Sequence, residues 1–192
     1  ADNLSRLPAQ HDQWDGYAEL CLYLGDKAAY RAACEGLLEH FATDPDPGIC
    51  ERTGRACLLG PASPAQLAAA AAAIDRAMAS EQAQPKPTWR MPYYRVASAL
   101  AAYRLGDSTR ALSFLDSSTR ETLGPMPMLV RAMAQHQLGQ SEHARDSLAA
   151  AVTHDDWNSP PDGREKWIYH ILRREAEAML RTTQTTTNAP GN

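Results

Sequence analysis

The sequence predicts an all-α chain, a stack of four antiparallel helical hairpins closed by an amphipathic C-terminal helix. Three observations predict it. The chain is rich in Ala, the strongest helix former, and holds only two Phe, so its core should consist of small side chains that let helices approach closely. One spacing of apolar, small and Gly residues recurs along the chain. Helix start signals fall where that spacing needs a new helix. The 192 residues, 44% hydrophobic and 22% charged, fit one globular unit of ordinary size.

Residues 1–11 read as an N-terminal extension, and the repeat region as 12–181. The first hairpin is marked by Trp14, Ala18, Gly25, Tyr30, Cys34 and Leu37, at offsets of 4, 11, 16, 20 and 23 from the first member. The same offsets recur as Arg95, Ala99, Gly106, Ala111, Leu115 and Ser118, and again as Met128, Ala132, Gly139, Ala144, Leu148 and Ala151. They place a small residue where two helices cross, a Gly at the turn, and small or apolar residues along the returning helix. A looser copy, Cys50, Gly54, Gly60, Ala70, Ile74 and Ala77, lies between the first two. Its added residues contain Ser63, Pro64 and Gln66, a capping box with Pro at the first helical position, so a helix starts there and includes the alanine run 68–73. Ser80 to Thr88, with Pro85 and Pro87, is expected to be an exposed loop.

The last helix is expected over Asp162 to Arg181, with Asp162 and Glu165 as its capping box and Ile168, Ile171, Leu172, Ala176 and Met179 on its apolar face. A stack of hairpins leaves one face of its last member uncovered, so this helix reads as a cap. Arg164, Lys166, Arg173, Arg174, Glu175 and Glu177 then form a solvated outer face. The polar tail from Thr182 to Asn192 is expected to be disordered.

The period of about 34 residues and its small-residue positions resemble the tetratricopeptide repeat family. The resemblance covers roughly residues 12–156; it departs at Tyr30, where the family prefers Ala, and in the stretched second copy. It implies a right-handed α-solenoid. Three segments, ERTGRACLL from Glu51, AMAQHQLGQ from Ala132 and WIYHILRREAE from Trp167, are similar to the C-terminal repeat region of large bacterial serine/threonine protein kinases. No Gly-rich phosphate loop, His-Arg-Asp or Asp-Phe-Gly is present, so the resemblance implies the non-catalytic part of such a protein.

In that family the first helix of each hairpin lines a concave groove. The register places Asp12, Asp15, Glu19, Leu22 and Tyr23 there from the first hairpin, and Gly48, Glu51, Arg55, Leu58 and Leu59 from the second. The third contributes Tyr93, Val96, Leu100, Tyr103 and Arg104, and the fourth Met126, Leu129, Met133, His136 and Gln137. The implied groove is acidic at one end and lined by Arg, Tyr and Met toward the other. Arg55, Tyr93, Tyr103, Arg104 and His136 are the candidate peptide-binding residues, for a protein or peptide partner carrying an acidic group near the arginines. The competing reading has the apolar members touch the linker or the capping helix and partly fill the groove. Asp15 and Glu19 stand where chaperone-tail-binding members of the family need Lys and Asn, which disfavours that ligand class. A second function class is a self-association scaffold, even a homodimer, using Trp89, Tyr93 and Tyr94.

Net charge is −4 and the pI about 5.9, which disfavours general binding to nucleic acid or anionic membranes. Lys occurs only at 27, 86 and 166, so nearly all positive charge is Arg, suited to fork-like hydrogen bonding. No run of about 18 apolar residues and no secretion leader is visible. The chain opens at Ala1 rather than Met, as expected of a processed or excised piece. Cys21, Cys34, Cys50 and Cys57 form no Cys-x-x-Cys pair; small buried thiols in a reducing, cytoplasmic setting are favoured over a Cys21–Cys34 bridge. The histidines at 11, 40, 136, 143, 154 and 170 hold no metal-protease spacing, and His154-Asp155-Asp156 reads as a polar chain exit. No cofactor, metal or catalytic residue is expected, and the chain is not expected to be an enzyme.

Overall fold

The computed structural model describes residues 11–116, 119 and 123–187, with the side chains of the last helix described through 181. The described residues are all-α. Their helices are α1 (His11–Leu24), α2 (Lys27–Phe41), α3 (Pro47–Leu58), α4 (Pro64–Gln82), α5 (Met91–Arg104), α6 (Ser108–Phe114), α7 (Met126–Gln137), α8 (Ser141–Thr153) and α9 (Arg164–Thr187). Each odd-numbered helix through α7 packs on the helix that follows it. The odd members also touch in series, α1 on α3, α3 on α5 and α5 on α7.

The recurring Gly has one structural cause. Gly25, Gly106 and Gly139 have φ of 84°, 83° and 73°, the left-handed region that a Cβ disfavours. In each turn the following residue donates its N–H five residues back, Asp26 to Cys21, Asp107 to Ala102 and Gln140 to Gln135, at 2.8–2.9 Å. That bond satisfies a carbonyl the ending helix leaves open. Asp26 and Asp107 then cap the next helix by accepting from Ala29 and Arg110, each at 2.9 Å. The second copy turns differently: Ser63 and Gln66 make the predicted reciprocal capping box, at 3.0 and 3.3 Å. Pro47, Pro64, Pro92 and Pro127 occupy first turns, where no N–H is required.

The core is built from small groups. Ala18, Ala99, Ala111, Ala132, Ala144 and Ala151 are fully buried, and all four cysteines are buried free thiols. Gly54 lets α3 lie against α4: a Cβ there would stand 2.6 Å from the Ala70 carbonyl oxygen. Tyr30, the departure from the repeat pattern, has a local reason. Its buried hydroxyl donates to the Ala56 carbonyl and accepts from the Gly60 N–H, both at 2.9 Å, tying the first hairpin to the turn of the second.

The preponderance of Arg is explained at helix ends. The last carbonyls of a helix lack intrahelical donors and carry the negative end of its dipole. Arg76 reaches Ala42 at the end of α2, Arg95 reaches Phe114 and Arg131 reaches Leu115 at the end of α6. Arg104 donates to Leu58 and Leu59 at 2.7 and 3.1 Å, and Arg174 to Tyr23 at 3.0 Å.

Several expectations are corrected. Ser80–Gln82 continue α4, because Glu81 turns inward and accepts from the Thr88 N–H and hydroxyl. The helix of the third hairpin stops at Phe114, with Leu115 extended; Asp116 accepts from the Thr119 N–H instead, and Ser118 lies outside the described residues. The last helix starts at Arg164, and Gly163 rather than Asp162 supplies the carbonyl for its first turn, so the expected Asp162–Glu165 box is out of register. It runs on to Thr187 through residues expected to be disordered; 188–192 and 1–10 lie outside the described residues.

The largest correction concerns where α9 lies. It packs on α7 and α8, as a cap would, but also on α1, running along it so that Arg164 meets Asp15 and Glu19 and Arg174 meets the Tyr23 carbonyl. Its expected solvated face is accordingly engaged in part. Arg164 and Glu175 meet the odd-numbered helices, Arg174 caps α1, Lys166 pairs with Asp155, and Arg173 pairs with Glu177 at 2.6 Å.

Tyr30→Phe is expected to cost about 1–3 kcal/mol, the penalty for stranding the buried Ala56 carbonyl and Gly60 N–H. Denaturant unfolding measures it; an unchanged midpoint would mean water replaces the hydroxyl.

Candidate functional site

Two clusters of charge line the face of the odd-numbered helices that α9 covers. At one end, the four-residue spacing of Asp15 and Glu19 puts both on the same side of α1, and Glu51 and Arg55 share a side of α3 in the same way. Asp15 and Glu19 are fully buried, and Glu51 nearly so. Arg55 Nε donates to Glu51 at 2.7 Å, and its Nη1 lies 3.7 Å from Glu19. From α9, Arg164 reaches Asp15 at 2.6 Å and Glu19 at 2.8 Å. Burial opposes the charge on both arginines, yet the carboxylates outweigh it and hold both above the ordinary guanidinium value. Burial pushes the Glu19 carboxyl up, and Arg164 and Arg55 offset this only in part.

At the other end, Arg104 closes α5. Besides the two α3 carbonyls, it forms a two-pronged pair with Glu175 of α9, one prong at 2.7 Å. The Tyr103 hydroxyl donates to Glu175 at 3.3 Å and contacts Met179 sulfur at 3.2 Å. The basic cluster thus meets a carboxylate of α9, and the acidic cluster meets a guanidinium of α9.

Between α9 and helices α1, α3 and α5 lies a cavity of about 410 Å³. Seven residues placed in the groove by repeat register line it: Glu19, Gly48, Glu51, Arg55, Tyr93, Val96 and Met126. Arg164, Glu165, Ile168 and Tyr169 of α9 form its opposite wall, and Trp89 and Arg90 also border it. A separate recess of about 620 Å³ is bordered by Leu22, Leu58, Leu59, Arg104 and Glu175. The five candidate residues therefore divide. Arg55 and Tyr93 face the first cavity, Arg104 the second recess, and buried Tyr103 touches α9; half-buried His136 borders neither.

Sequence reasoning missed the tertiary contacts of Arg164, Glu175 and the exposed Arg174, because mixed charge along one helix looks the same whether it faces water or an oppositely patterned surface. It also missed a group of potential cation donors, His11, Asp12 and Asp15, whose ligand atoms lie within 4.8 Å of one another. The spacing His-Asp-x-x-Asp in the first turns of a helix was the available signal. Guanidinium groups already take the place a metal would fill, since Arg52 is 2.8 Å from Asp12 and Arg164 2.6 Å from Asp15. His11 bonds Thr53 at 2.9 Å, and burial lowers its pKa, favouring the neutral ring.

No family model, curated protein or solved structure matches the chain. Among the described residues, no helix is long and apolar enough to cross a membrane.

Glu19 makes a pH prediction. Because folding raises its pKa above the ordinary 4.5, its contribution to stability is full below that value and is lost as pH rises through the folded value. Glu19→Gln removes the titration, so the variant should gain stability relative to the parent as pH climbs from about 4 to about 8. Paired denaturant melts across that range test it; a variant that loses ground would show that the arginine pairs outweigh burial.

Proposed function

We propose that this chain is a non-catalytic interaction module, a right-handed solenoid of four tetratricopeptide-like hairpins whose concave groove holds an amphipathic helix or peptide segment. The observation that carries this reading is the two-ended charge match of α9. Arg164 lies against Asp15 and Glu19, and Glu175 against Arg104, eleven residues or about 16 Å further along the helix. A surface that recognises its own helix through an apolar stripe and a charge at each end has the attributes of a helix-binding groove. A partner segment with an acidic side chain at Arg104 would compete with α9, so α9 acts as the resident occupant. The resemblance to the C-terminal region of bacterial kinases fits this reading, with the chain as the interaction part of a larger signalling protein.

A labelled peptide copying residues 162–181 tests the groove. Glu175→Ala in the full chain weakens the resident helix and should raise peptide binding several-fold; adding Arg104→Glu should abolish the gain. Equal binding to parent, single and double variants would sink the groove reading.

A second reading, self-association, is favoured by Trp89, which is 73% exposed, meets Tyr93 edge-on at 5.9 Å and carries Arg90 over its ring. Tyr94, expected in the same patch, is only 2% exposed and cannot take part. If the patch joins two copies, Trp89→Ala converts a dimer to a monomer in sedimentation equilibrium while leaving the melting temperature of the monomer unchanged; a concentration-independent monomer mass for the parent chain removes this reading.

A further inference from the structure

We propose that the 410 Å³ cavity between α9 and helices α1, α3 and α5 binds an organic cation, an ammonium or guanidinium group on an apolar stem, with Glu19 and Glu51 receiving the charge. The cavity is walled by α9, so the site exists while that helix is resident and requires no partner to open it.

Charge balance is the first argument. Asp15, Glu19 and Glu51 are buried and share only two guanidinium groups, those of Arg55 and Arg164. Arg52 also lines the cavity, but its guanidinium pairs with Asp12 at 2.8 Å, and the buried His11 ring favours its neutral form. The remaining charged lining does not redress this. It comprises Asp46 and Glu165 against Arg90, whose guanidinium lies over the Trp89 ring. Buried negative charge without a full complement of cations is costly, and a cationic ligand would relieve it.

Unmet hydrogen-bonding capacity is the second. Glu19 is fully buried, yet its Oε1 accepts no hydrogen bond; the Tyr94 hydroxyl, on a side chain 2% exposed, has no partner either. Both residues belong to the cavity wall. A third wall residue, Arg52, has its buried Nε unpaired as well. Buried polar atoms are nearly always satisfied, so these orphans beside one cavity, two of them able to accept, point to a missing polar group whose donors would serve Glu19 and Tyr94. An ammonium or guanidinium N–H is the donor Glu19 lacks.

The apolar lining is the third. Tyr93, Tyr94, Tyr169 and Trp89 border the cavity, and aromatic faces attract cations. Ile168 and Val96 supply surface for an alkyl stem, and the volume is that of a small-ligand site. A carboxylate ligand fits less well, because Arg55 and Arg164 are already held by carboxylates at 2.6–2.8 Å.

Isothermal titration of the full chain with n-butylguanidinium, with an acetyl-Gly-Arg-Gly-amide peptide and with butyrate tests the proposal. Saturable binding of either cation, weakened at least tenfold by Glu19→Gln and by Tyr94→Phe, is expected, with no binding of butyrate. The tighter of the two cations identifies the source, a free small molecule or an arginine side chain of a partner. Tyr94→Phe removes a hydroxyl that has no partner, so its melting temperature should hold or rise, which keeps the test valid if Glu19→Gln folds poorly. Failure of both cations to saturate at millimolar concentration, equal binding to both variants, or binding of butyrate in their place would overturn it.

Discussion

One guanidinium joins three parts of the molecule that are far apart in sequence. Arg104, at the last turn of α5, donates to two carbonyls that α3 leaves open and to both carboxylate oxygens of Glu175 on α9. Its fork geometry matters, because an ammonium could not serve two carbonyls and a carboxylate in one plane. Such a group is costly to bury alone, and removing its partner typically costs about 3–5 kcal/mol. The end of α3, the end of α5 and the middle of α9 are therefore held in one arrangement, and the position of α9 over the odd-numbered helices follows from it.

That arrangement is possible only because the helices beneath are thin. Ala at the crossings and Gly54 under Ala70 bring backbones close, and Trp14 lies flat where Gly36 leaves room for its ring. Close backbones leave little space for side chains to shift, so the row behaves as a rigid surface. Large aromatic side chains gather around the 410 Å³ cavity, where Tyr93, Tyr94 and Tyr169 stand between α9 and helices α3 and α5.

Charge is organised along the same axis. The acidic residues of α1 and α3 and the basic end of α5 each meet an opposite group on α9, while Arg174 caps α1 and lies over the Tyr23 ring. The pairing fixes the direction in which α9 lies, since reversal would set Arg164 against Arg104 and Glu175 against Asp15 and Glu19.

Local patterns were enough to read the helices, the turns at Gly25, Gly106 and Gly139, the capping box at Ser63 and the buried faces of each hairpin. Those features depend on residues within a turn or two of one another, where steric and hydrogen-bonding rules act directly. Of the twenty positions that repeat register assigned to a groove, seven line one cavity. Helix ends at Gln82, Phe114 and Arg164 were misjudged because side chains such as Glu81 and Asp116 chose among competing local bonds. The site itself was read only in part. Arg55 and Arg104 looked like free anchors, yet each is held by carboxylates from its own chain, and the partner of Arg104 lies 71 residues away. No local pattern carries that information, because a charge on a helix is solvated or paired according to what the fold sets opposite it. The sequence alone specifies an α-helical chain with a polar inner face; where α9 lies, and hence which charges are spent and which cavity remains, is settled by packing between segments far apart in the chain.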